Sequence, residues 1–218
     1  MRATGCRVQG TGEPAASCPP PGDAPAVQPA RIWPMLAFRP AGDMSTFTSR
    51  QRFTVSEYAS GALLLPVCVY FAVVPYGQPG GLGLPWFLVH SLNLLPHEAG
   101  HFVFRFFGET LMIAGGSILQ LVFPCLWAWI AFASDSRLGV QVSLVWLGQN
   151  WIDVAAYAAD AQARAMPLLG GLGPEAHDWH NLLSMAGWLD QTPLVAGVLF
   201  ACAFPVWAAM LAVPRWVG

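Results

Sequence analysis

Lysine is absent from this chain; all ten of its basic residues are arginine. Charge of either sign is scarce, with 10% of 218 residues charged, against about 25% in an ordinary soluble domain. A net charge of −2 and a pI near 6.2 provide no basic stripe to meet a phosphate backbone, so no nucleic-acid partner is expected. The five cysteines, Cys6, Cys18, Cys68, Cys125 and Cys202, are odd in number and form no C-x-x-C pair. That argues against both a disulfide framework and a thiolate zinc site. No apolar core follows Arg2 and Arg7, so the start lacks the form of a signal peptide.

What the chain has in excess is apolar. Hydrophobic residues make up 55%, mean hydropathy is +0.49, and there are 10 Trp and 13 Phe. This composition predicts an integral membrane protein whose partner is the lipid bilayer. Residues 1–52, with Pro19-Pro20-Pro21-Gly22 and no sustained periodicity, read as a disordered leader. Translation starting at Met35 or Met44 is the alternative account of that stretch. Residues 53–218 read as one membrane-embedded helical domain.

Five apolar segments fall at 56–76, 84–107, 111–133, 138–161 and 193–213. Each is near the ~20 residues that a helix needs to cross a bilayer. The expected fold is an all-α, multi-pass bundle of about five transmembrane helices. A Gly-rich loop at 162–192 separates the last two segments. Arg50, Arg52, Arg105 and Arg164 fall on one side of such a bundle, and Arg137 and Arg215 on the other. The positive-inside rule then puts the N-terminus and the 162–192 loop in the cytoplasm.

One stretch carries chemistry. His97-Glu98-Ala99-Gly100-His101 lies inside the second apolar segment. On a helix, the two imidazoles are one turn apart on one face and can share a Zn²⁺ ion, with Glu98 beside it to take a proton from water. Ionisable side chains are costly in hydrocarbon, so their presence points to function. Pro96 is expected to kink this helix, and His90 shares its face approximately.

A catalytic zinc site needs a third protein ligand. On the fourth segment, Asn150, Asp153, Tyr157 and Asp160 fall within an arc of roughly 80° at 100° per residue. Such a stripe must face the bundle interior. Asp153 and the histidine pair each lie about fifteen residues into segments running the same way, so their depths match. Asp153 is therefore the expected third ligand. Asp160, His177 and Asp178 are the alternatives, the last two within His177-Asp178-Trp179-His180 of the cytoplasmic loop. Gly115-Gly116-Ser117 fits close helix packing, and Gln120 is placed to hydrogen-bond across the bundle.

The His-Glu-Ala-Gly-His motif in an apolar span resembles the metal motif of the site-2 protease family of intramembrane zinc metallopeptidases. In that family a later span carries Asn and an Asp-Gly pair; Asn150-Trp151-Ile152-Asp153 is the nearest equivalent. Asp153 is followed by Val154 rather than Gly, and the family's Pro between Asn and Asp is missing. The resemblance covers residues 90–160 and leaves no room for a PDZ domain. It implies a compact metallopeptidase that cuts a transmembrane protein substrate, with Glu98 as base and Asn150 assisting the oxyanion. A metal-ion transporter or sensor using the same ligands, and a non-catalytic membrane scaffold descended from a peptidase, are the rival readings. The apolar 84–89 stretch argues against an ion path through the outer half of the second segment.

Overall fold

The computed structural model describes residues 55–74 and 81–217. The predicted leader at 1–52 lies outside the described residues, as does the end of the first apolar segment. Among the described residues every regular element is helical.

Helix α1 (Val55–Val73) is followed by α2 (Leu84–Phe104), which opens on Leu84-Pro85. Proline in the first turn sacrifices no helical hydrogen bond. Helix α2 continues past Pro96 as one helix of 21 residues, about 31 Å long. A 3-10 turn, Arg105–Phe107, leads to Gly108, whose φ of 97° lies in the left-handed region and suits glycine. Gly108 turns the chain into α3 (Glu109–Ala133). Helix α4 (Arg137–Ala159) begins where the Ser136 hydroxyl accepts from the Gly139 N–H.

The expected loop at 162–192 contains a helix, α5 (Asp178–Met185). The fifth apolar segment, expected as one helix, is two: α6 (Thr192–Ala201) and α7 (Ala203–Ala212). Pro205 has no N–H to offer the Ala201 carbonyl, so the ladder breaks at Cys202.

Helix α4 is the hub, packed against α3, α6, α7 and α1, while α2 packs on α3. The main apolar core joins Cys68, Phe71, Trp86, Val145, Ile152, Ala203, Trp207 and Met210. Helix α4 also buries Gln141, Ser143, Gln149, Asn150 and Asp153, polar residues that would be costly to expose to hydrocarbon. Gln141 accepts from the Ser60 hydroxyl at 2.7 Å, and the Trp207 indole N–H donates to the Val145 carbonyl at 3.2 Å.

The outside is apolar, with Leu63, Phe87, Leu95, Phe102, Phe106 and Trp129 among the exposed side chains. Two helical stretches, Glu109–Ala133 and Leu189–Arg215, are long and apolar enough to cross a membrane. Helices α2 and α4 have the length but not the apolarity. Their shortfall comes from polar side chains such as Asn93, His97, Gln149 and Asp153, which are turned inward and buried.

Candidate metal centre

The site is assembled at the crossing of α2 and α3. Gly100 faces Gly115, and a Cβ at Gly100 would collide with the Gly115 carbonyl. The absence of both side chains lets the two backbones approach, as the Gly-Gly-Ser sequence suggested. Gly116 then faces the histidines: a Cβ there would lie 2.6 Å from Nε2 of His101 and 2.7 Å from Nε2 of His97. The space beside these two nitrogens exists because residue 116 is glycine.

Both rings are held from behind. His101 Nδ1 lies 2.9 Å from the Met112 carbonyl, which can only accept, so Nδ1 carries the hydrogen. In the neutral ring Nε2 is left with its lone pair. His97 Nδ1 lies 3.1 Å from Gln120 Oε1. Partners of this kind on the distal ring nitrogen are the usual support of metal-binding histidines.

The third member of the group is Asp178. Its Oδ2 is 3.0 Å from His97 Nε2 and 3.3 Å from His101 Nε2, and the ligand atoms of all three residues lie within 4.8 Å of one another. Among the described residues, this is the group of His, Cys, Asp and Glu side chains able to hold a metal ion. Two imidazole nitrogens and one carboxylate form a donor set that fits zinc.

Asp178 arrives on α5, which is docked by several polar contacts. The His177 ring Nδ1 accepts from the His180 N–H at 3.2 Å, capping the helix. The Asp178 N–H donates to the Tyr157 hydroxyl at 3.1 Å, and the Trp179 indole donates to Ser117 at 3.2 Å. His180 Nδ1 donates to the Ala161 carbonyl at 2.8 Å. Burial holds the His177 pKa below its ordinary value against the pull of Asp160, which keeps the capping nitrogen free of a proton. Burial alone would raise the Asp178 pKa; the neighbouring His101 and His97 imidazoles outweigh it and leave that pKa below the ordinary value. Asp178 stands ready as an anion.

Asp153, the expected third ligand, is not in this group. It is buried and accepts from Asn93 Nδ2 at 3.0 Å and Gln120 Nε2 at 2.9 Å, with His90 Nδ1 at 2.9 Å. The depth argument brought it to the right level, but Gln120 of α3 stands between it and His97. Asp160 instead closes the end of α4, accepting from the N–H groups of Ala165 and Met166 at 3.0 and 2.8 Å. His177, the other alternative, lies 3.4 Å from Asp160 through Nε2 and caps α5. Asn150 is buried and gives its amide to the Trp146 carbonyl at 2.9 Å. It does not line the cavity in front of the histidines, where an oxyanion donor would stand.

That cavity measures about 590 Å³. Glu98 lines it together with His97, His101 and Asp178, and the lining also includes the apolar side chains of Leu94, Ile113, Met166, Leu168 and Leu172. No protein-family model, characterised protein or solved structure matches this chain. Functional inference therefore rests on the site. The site brings two imidazoles and two carboxylates, those of Asp178 and Glu98, to one cavity.

Proposed function

We propose that this chain is a membrane-embedded, zinc-dependent hydrolase of peptide bonds, of the site-2 protease-like kind. His97, His101 and Asp178 would hold the ion, and Glu98 would act as the base. One observation carries this reading: two imidazole nitrogens, each supported at its other ring nitrogen, converge with a carboxylate beside a cavity that Glu98 also lines. In this reading α1, α2, α3, α4 and the α6–α7 pair are the five membrane crossings. The N-terminus is cytoplasmic, as the arginine distribution favours.

The residues divide the labour as follows. When bound, the ion would supply Lewis acidity toward water and a carbonyl oxygen. The Glu98 carboxylate takes one proton from the attacking water and returns it to the leaving amine, so the amide and water become a carboxylic acid and an amine. The apolar wall at Leu94, Ile113 and Leu172 accommodates an apolar substrate segment and limits the water around the reacting carbonyl.

The experiment is metal analysis of the purified chain, paired with hydrolysis of an apolar transmembrane reporter peptide in liposomes. One zinc per chain is expected, lost in His97→Ala. Glu98→Gln should keep the zinc and lose turnover by about 10²–10⁴-fold. Full turnover by Glu98→Gln, or undiminished zinc in His97→Ala, would sink the reading.

A further inference from the structure

We infer that Asp153 and Gln120 are positioning residues: a directional hydrogen-bond chain from Trp146 through Asn93, Asp153 and Gln120 fixes the ring of His97 so that Nε2 is presented to Asp178. This rests on the metal-hydrolase reading and adds to it residues outside the proposed ligand set.

The direction is set by groups that can play only one role. The Trp146 indole N–H can only donate, and it meets Asn93 Oδ1 at 2.8 Å. The Asn93 amide nitrogen therefore faces away, donating to Asp153 Oδ2 at 3.0 Å and to Gln149 Oε1 at 2.9 Å. A carboxylate can only accept, so Gln120 meets Asp153 Oδ2 through its amide nitrogen at 2.9 Å. Its carbonyl oxygen is thereby turned to His97 Nδ1 at 3.1 Å. Nδ1 must carry the hydrogen, and in the neutral ring Nε2 keeps its lone pair. His90 Nδ1 engages the other oxygen of Asp153 at 2.9 Å.

Each link is withdrawn from solvent: Asn93 is 1% exposed, Asp153 3% and Gln120 5%. Water cannot readily replace the partners, so the order of donors and acceptors is strongly enforced. Flipping either amide would set oxygen against oxygen at one end and hydrogen against hydrogen at the other. Asp153 thus sets the direction of the chain, one residue removed from the ligand set.

The test measures Zn²⁺ affinity of the full chain in detergent by competition with a chromophoric chelator, and records the spectrum of the Co²⁺-loaded protein. Gln120→Met and Asp153→Leu keep bulk and lose the chain. Each is expected to weaken Zn²⁺ roughly 10–100-fold, the usual cost of losing a partner behind a ligand. The double variant should fall no further than the weaker single one. Asp153→Asn keeps an accepting oxygen for Asn93 and Gln120. It should stay within about fivefold of wild type, the worth of one neutral hydrogen bond.

If Asp153 were itself a ligand, Asp153→Asn would lose as much as Asp153→Leu, and that result overturns the inference. So does wild-type affinity in Gln120→Met, which stands even where the Leu variant fails to fold. A merely structural role would lower thermal stability and leave Zn²⁺ affinity and the Co²⁺ spectrum unmoved. Wild-type protein that binds no Zn²⁺ overturns the hydrolase reading as well; wild type that binds it with all variants unaffected overturns this inference alone.

Discussion

At Gly116 a hydrogen in place of a methyl group makes the space that two imidazoles share. Gly116→Ala places a carbon within 2.7 Å of both Nε2 atoms. Overpacking of this kind costs about 1–3 kcal/mol. Zn²⁺ affinity should therefore fall roughly 10–100-fold in chelator competition, with helix content by circular dichroism unchanged. Gly81→Ala, at a position open to solvent, is the control and should leave affinity alone. Which residues were legible in the sequence follows from range. His97, Glu98 and His101 meet through a single helical turn, and local geometry suffices to find them. Asp178 meets His97 from 81 residues away. Its approach depends on the path of a Gly-rich loop, which no periodicity encodes. Asp153 was found at the right depth, yet depth carries no lateral information. Helix α3 packs against both α2 and α4, and its Gln120 links Asp153 to Nδ1 of His97, the ring nitrogen turned away from Asp178.

Helix α5 decides whether the centre is whole. It is 8 residues long, too short to persist alone in water, so its caps and contacts hold it. Loss of an N-cap costs about 0.5–2 kcal/mol. His177→Ala should accordingly weaken Zn²⁺ about 2–30-fold, and His177→Asn, which keeps a capping oxygen, should recover most of that loss. Equal affinity in His177→Ala and wild type would remove the cap from the account. The sequence carries a signal for this helix: His177 is followed by an acidic residue at the first helical position, where the dipole favours a negative charge. The break between α6 and α7 was similarly available. Pro205 sits inside an apolar run whose hydropathy alone suggested one unbroken helix.

Among the described residues, apolar side chains cover much of the exterior, while buried amides, histidines and a carboxylate gather around α4 beside the apolar core. Apolar runs in the sequence marked where helices would lie, but the runs blur where function intervenes, and α2 and α4 are polar because the site is on their inner faces. The metal would also tie α2 to a segment separated from it by two long helices. Chelation should therefore loosen the 162–177 connection. Limited proteolysis in detergent is expected to cut near Gly170-Gly171 faster after zinc removal, with α2 to α4 resisting as before; an unchanged cutting rate would disconnect the ion from α5 docking. The same separation has a consequence in time. A ribosome making this chain releases the histidine pair first and Asp178 81 residues after His97, about 4–16 s later at roughly 5–20 residues per second. During that interval the nascent chain holds the histidine pair and Glu98 without Asp178. In the proposed hydrolase, turnover would begin only once Asp178 has been made and α5 has docked.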